Sequence, residues 1–343
     1  MTGLHHYKAP DYNNNFDLLR LTGALLVMFS HAYGQMADPS REILYRLTNH
    51  HIFMGNIGLM IFFVISGYLV TQSLLQTASV KKYIARRILR IYPAYIVNML
   101  LLLFILGAIL TSLPLGDYFS NRLTWKFLYE NILIIPSSHI LPGVFNETDV
   151  NPSAWTVPFE LKLYLLLLLI YLIPFLSFKW KIGLVFFVCL ILGLFVPVVL
   201  LQRITGHNLN VWYSLGFYFI SGSLLNAFKD KIPIHYIGIF ILVTVLLVTH
   251  LLGLPGNFLK LLCITYTIIW LGTRTPVILK LKWDLSYGIY LYAAPVQLAL
   301  SQLSHHSLPL WQYNLISTPI IVLLAALSWN LVEKKAKILK NKI

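Results

Sequence analysis

Long apolar stretches separated by short polar segments recur from one end of the chain to the other, and their length decides what they form. A helix rises about 1.5 Å per residue, so about 20 mostly apolar residues cross a bilayer. Hydropathy windows of that length predict about ten spans, near 16–34, 54–77, 86–112, 157–177, 182–202, 211–227, 234–252, 257–273, 284–303 and 313–333. The expected fold is therefore all-α, a polytopic transmembrane helix bundle. Its longest polar interruption is an outer loop at about 113–156, which carries Trp125, His139, Glu147, Asp149 and Trp155. The segment FLYENILIIP inside it is too short to cross and is expected to dip into the membrane or lie on it. No linker-like stretch divides the chain, so residues 1–343 read as a single membrane domain with a polar tail at 1–15 and a basic tail at 334–343. No small-residue cleavage site follows the first apolar run, which argues against a cleaved signal peptide. The absence of a visible internal repeat disfavours the inverted-repeat transporter folds.

Composition agrees with this pattern. The chain is 58% hydrophobic and 11% charged, with a mean hydropathy of +0.73, more apolar sequence than a soluble core needs. A formal net charge of +14 invites a nucleic-acid reading, but its placement excludes one. With the N-terminus inside, the inner segments hold Lys8, Lys81, Lys82, Arg86, Arg87, Arg90, Lys179, Lys181, Lys229, Lys231, Arg274, Lys280, Lys282 and the C-terminal lysines. The outer ones hold Arg41, Arg46, Arg122, Lys126, Arg203 and Lys260. This is the positive-inside asymmetry. It predicts an inner-membrane, multi-pass protein whose termini are both cytoplasmic. Cys189 and Cys263 fall inside apolar runs, so neither a disulfide framework nor a metal site is expected.

Ionisable residues inside apolar runs are costly and usually face an interior where they act. Arg20 and His31 lie in the first span. Eleven helical steps total about 1100°, three turns plus about 20°, so both share one face roughly 16 Å apart. The plainer reading pairs Arg20 with Asp17 and leaves His31 to cap the outer end. Glu160 begins the fourth span at a depth matching His31, where a carboxylate could orient an imidazole, and Tyr164 shares its face. Arg87 and Arg90, three apart at a helix start, offer planar guanidiniums suited to phosphate, although topology-setting charge and lipid headgroups explain such a cluster equally well. Ser66 and Gly67 form a small-residue pair that signals close helix packing. Tyr290, Tyr292 and Gln297 lie deep enough to line a cavity.

In this order, FDLLRLTGALLVMFSH, GLMIFFVISGYLV, RRILRIYP, WTVPFELKLYL, DLSYGIYLYAAPV and LSWNLVEK cover residues 16 to 334. They resemble the acyltransferase-3 family of polytopic bacterial membrane O-acyltransferases. The family's Arg and His motif falls on Arg20 and His31, its paired arginines on Arg87 and Arg90, and its Trp and Glu on Trp155 and Glu160. Ala293 stands where many members carry His, and Lys335 where Pro is usual. The resemblance implies transfer of an acyl group, usually acetyl, from cytoplasmic acetyl-CoA to a hydroxyl of a cell-surface or lipid-linked polysaccharide. Under it His31 and Glu160 are the catalytic pair, while Arg20, Arg87 and Arg90 bind the donor. Other readings are a transporter or flippase of a lipid-linked sugar, or acyl transfer to a lipid, a peptidoglycan unit or a small metabolite.

Overall fold

The computed structural model describes residues 14–36, 38–77, 79–134, 139–195, 209–253 and 256–342. Most of the predicted N-terminal tail, the end of the fifth predicted span and Arg203 lie outside them. The major helices are α1 (Phe16–Met36), α2 (Ile43–Leu47), α3 (Met54–Gln76), α4 (Val80–Leu101), α5 (Leu115–Ser120), α6 (Arg122–Ile132), α7 (Thr156–Leu172), α8 (Phe178–Phe195), α9 (Leu209–Ala227), α10 (Tyr236–Leu251), α11 (Asn257–Thr273), α12 (Ser286–Leu303), α13 (Leu310–Ser328) and α14 (Lys334–Lys342). The described residues contain no strand, only an isolated bridge between Ile140 and Asp149. The all-α expectation holds.

The span count differs from expectation. Among the described residues three helices, Met54–Gln76, Val80–Leu110 and Leu310–Lys340, are long and apolar enough to cross a membrane by length and composition. Tyr236–Leu251 and Phe258–Thr273 are apolar but shorter. Two of the long helices are π-bulged extensions: α4 runs on through Leu102–Gly107, and α13 continues through Trp329–Glu333 into α14. An averaged hydropathy window registers neither where hydrogen bonds end nor where a bulge joins two helices.

α3 is the pivot, packed on both α1 and α9, and glycine sets the approach. A Cβ on Gly67 would lie 1.9 Å from the Phe219 carbonyl oxygen, and one on Gly222 would lie 2.2 Å from that of Val64. Ser223 Oγ donates to the Gly67 carbonyl at 3.2 Å across the same crossing. Gly58 meets Gly23 of α1 as closely, its added Cβ falling 2.4 Å from the Gly23 oxygen. The packing expected of Gly67 is observed. Its neighbour Ser66 turns the other way, toward the site.

The described residues of the long outer loop form a folded cap in which FLYENI completes α6, with Thr124, Phe127 and Asn131 buried. Tyr118 is fully buried, and its hydroxyl donates to the Leu103 carbonyl at 3.0 Å in the π-turn of α4. Pro295 in α12 has no N–H, so the Leu291 carbonyl lacks its helical donor. Asn151 of the cap donates to it at 3.0 Å, and Asn98 of α4 at 3.3 Å. At the other end of the bundle, Asn15 joins the start of α1 to the end of α11, donating to Thr275 Oγ1 at 2.8 Å and to the Pro276 carbonyl at 2.9 Å.

Two predictions follow from this packing. Gly67→Ala must displace backbone and should destabilise the protein by about 1–3 kcal/mol. Gly34→Ala, with nothing within 4 Å of the new Cβ, should not; thermal unfolding in detergent compares them. In the cap, His139 is buried and its backbone N–H donates to Asp149 Oδ1 at 2.7 Å. Burial pushes the imidazole below its ordinary 6.5, against an opposing pull from Asp149. The unfolded chain therefore takes up the proton first. Stability present above pH 6.5 is lost as pH falls toward the folded value. Melting temperatures from pH 7 down to 5 should drop less in His139→Gln than in the wild type.

Candidate active site

The ends of α1, α3, α4, α12 and α14, with the first turns of α7, enclose a cavity of about 530 Å³. Six cationic side chains line it: Arg20, Arg86, Arg87, Arg90, Lys337 and Lys340. Asp17, Glu160, Asp284 and Glu333 line it too. Arg20, Arg87 and Arg90, expected together as a donor site, all line this cavity, and Glu160, expected beside His31, lines it with them.

Each arginine is held differently. Arg90 Nη2 lies 3.1 Å from the buried Asp284 Oδ2, and Ser286 Oγ steadies that carboxylate by donating to Oδ1 at 2.6 Å. Arg20 pairs with Asp17 at 3.5 Å, one turn apart on α1. The plainer reading of Arg20 is thus observed, and Arg20 still reaches the cavity. Arg87 donates to Ser73 Oγ at 3.3 Å. Its guanidinium lies over the rings of Tyr83 and Tyr164, at 5.8 and 5.7 Å, where the negative faces of the rings attract it. Its Nε is buried without a hydrogen-bond partner. Arg86 donates to Thr77 Oγ1 at 2.9 Å.

Glu160 belongs to this cluster. Its Oε1 accepts from Ser66 Oγ at 2.6 Å and from the Tyr164 hydroxyl. The Ser66 and Tyr164 oxygens are themselves 2.8 Å apart, and the Tyr83 hydroxyl donates to the Tyr164 carbonyl at 3.0 Å. Tyr164, four residues after Glu160, meets it as the shared helix face anticipates.

His31 is not among the cavity-lining residues, and no hydrogen bond joins it to Glu160. Its Nε2 lies 3.1 Å from Ser153 Oγ. The Tyr290 hydroxyl donates to the Ser153 carbonyl at 2.8 Å and pairs with Thr156 Oγ1 at 2.6 Å. Thr156 and Tyr290 both line the cavity. His31 therefore stands behind the cavity's inner wall, linked to it through Ser153.

No sign in the sequence placed Ser153, Asp284 or Glu333 in the site, and Arg86, Lys337 and Lys340 read there only as topology-setting charge. Asp284 and Glu333 sit inside quoted motifs. Lys337 and Lys340 repeat the three-residue spacing of Arg87 and Arg90, the one signal that marked them.

Among the described residues the helices thus enclose a basic, hydroxyl-rich cavity, with an imidazole linked to its wall through Ser153. An acyltransferase domain family matches residues 13–332. The "O-acetyl transferase" of Shigella phage Sf6 is 27% identical, covering 94% of this chain and 96% of the relative. "Nodulation protein 10" of Rhizobium leguminosarum bv. viciae is 28% identical over 98% and 96%. "Acyltransferase MdmB" of Streptomyces mycarofaciens matches at 28% over 43% of this chain and 36% of its own length. No solved structure matches. The chain belongs to the acyltransferase-3 family and is an O-acyltransferase.

The Arg90–Asp284 pair predicts a double-mutant cycle. Arg90→Ala strands a buried carboxylate and should cost about 2–4 kcal/mol of stability. Adding Asp284→Ala should restore part of that loss. Denaturant unfolding of the wild type, both single variants and the double variant measures the coupling, and additive effects would remove the pair from the account.

Proposed function

We propose that this chain transfers an acetyl group from cytoplasmic acetyl-CoA to a hydroxyl of a cell-surface or lipid-linked polysaccharide. It works as a multi-pass protein of the bacterial inner membrane with both termini in the cytoplasm. The observation that carries the reading is the single cavity in which Arg20, Arg87 and Arg90 converge. These arginines stand at the end that the positive-inside pattern assigns to the cytoplasm, where the donor is available. The buried Arg87 Nε without a partner fits a phosphate oxygen. The name of the phage relative, O-acetyl transferase, supports acetyl as the group transferred.

In the reaction the acceptor hydroxyl oxygen bonds to the thioester carbonyl carbon. The carbon–sulfur bond breaks, and the coenzyme leaves as thiolate. His31 takes the hydroxyl proton and returns it to the departing thiolate. A general base of this kind contributes about 10²–10⁴-fold. Glu160, bonded to Ser66 and Tyr164, acts as a positioning residue. It fixes the Tyr164 ring on which Arg87 rests.

Purified protein incubated with labelled acetyl-CoA and envelope extract tests the reading. Label should enter glycan. Label appearing in lipid or a small molecule instead would replace the acceptor class. His31→Ala should abolish transfer at a normal level of protein in the membrane. Retention of more than about a tenth of the rate would remove the base role, since a base is worth at least ~10²-fold. Arg87→Ala should weaken donor binding more than Lys81→Ala, because an ammonium lacks the bidentate fork.

A further inference from the structure

The closing helix has no part in the roles above. α14 follows α13 through the π-turn Trp329–Glu333 and packs against α4, the helix that carries Arg86, Arg87 and Arg90. Its face is selective. Lys337 and the half-buried Lys340, three residues apart, line the cavity, whereas Lys334 and Lys335 do not. The Lys337 ammonium lies 5.3 Å above the ring of the buried Trp329. Among the described residues neither Lys337 nor Lys340 forms an ion pair, and neither do Arg86 and Arg87. Against the six cations of the cavity stand four carboxylates, Asp17, Glu160, Asp284 and Glu333, so Lys337 and Lys340 supply a formal surplus of positive charge that an anion of about two charges completes.

We propose that α14 is a donor-recognition element in which Lys337 and Lys340 bind the terminal phosphomonoester of the acyl-CoA donor. This rests on the donor reading above. In the coenzyme the diphosphate lies between pantetheine and adenosine, and the 3′-phosphate sits on the ribose at the end away from the thioester. A thioester directed toward His31 puts the diphosphate at the arginines of α4 and the 3′-phosphate at the last basic residues of the mouth. Lysine suits that end, because a phosphomonoester is read well by point charges.

The test is steady-state transfer by the full chain in phosphatidylcholine nanodiscs with three donors: acetyl-CoA, acetyl-3′-dephospho-CoA and S-acetyl-pantetheine. The wild type should show a KM about tenfold lower for acetyl-CoA than for the dephospho donor, the scale of one charge-assisted contact. Lys337→Ala with Lys340→Ala should erase that preference through KM. Lys337→Arg with Lys340→Arg should keep it, and Lys334→Ala with Lys335→Ala should leave it intact. An unchanged preference in the double alanine variant overturns the proposal, as does an equal loss on all three donors. A KM effect that follows added phosphatidylglycerol rather than the donor phosphate overturns it too, because the lysines then serve lipid headgroups. Wild-type transfer from all three donors at equal KM overturns this proposal alone. No transfer from any donor overturns the donor reading and this proposal with it.

Discussion

Repulsion among like charges is the constraint on which the rest of the site depends. Six cations share one cavity of about 530 Å³. Two like charges about 6 Å apart, at an effective dielectric of about 20, repel by about 3 kcal/mol. The fold answers three of these charges separately. Arg90 receives Asp284, Arg20 receives Asp17, and Arg87 rests on the faces of Tyr83 and Tyr164. The carboxylates Glu160 and Glu333 take hydroxyl donors from Ser66, Tyr164 and Ser328. They lower the field of the cavity without locking the remaining cations into pairs. A cavity with positive charge left over is one that an anionic donor completes.

That arrangement requires helices to come closer than ordinary side chains allow. The glycine contacts of α3 with α1 and α9 place Arg20 and Ser66 on neighbouring walls. Pro295 exposes the Leu291 carbonyl, and the amides of Asn98 and Asn151 answer it. A backbone defect in α12 thereby joins the cap to α4. The same cap segment carries Ser153, so the contact that holds His31 depends on a loop anchored at that defect.

Much of this was legible in the sequence. Arginine inside or beside an apolar run is costly enough to mark function, and Arg20, Arg87 and Arg90 do meet. Glu160 and Tyr164, four apart on one helix, do touch. The pairing of Glu160 with His31 was inferred from matching depth in two spans. Depth fixes height, not azimuth, and Ser66 of α3 and Ser153 of the cap intervene as the actual partners. The lysines of α14 read as topology-setting charge because periodicity shows which residues share a face but not which helix that face meets. Ten hydropathy maxima resolve into three helices of spanning length and composition among the described residues. Bulges, short helices and polar insertions divide what an averaged window joins.

The distance between the cation cluster and His31 follows from the chemistry proposed for them. On taking the acceptor's proton, His31 becomes a cation itself. Beside an arginine at about 6 Å, that step would carry a penalty near 3 kcal/mol for each neighbour, whereas at about 16 Å it falls to about 1 kcal/mol. A base placed inside the basic cavity would thus lose much of what general-base catalysis supplies. Coenzyme A resolves the conflict, because its phosphates and its thioester lie at opposite ends of an extended arm. Under that proposal the phosphates rest at the arginines and the proton chemistry takes place at the Thr156–Tyr290 wall, where Ser153 links His31 to the cavity.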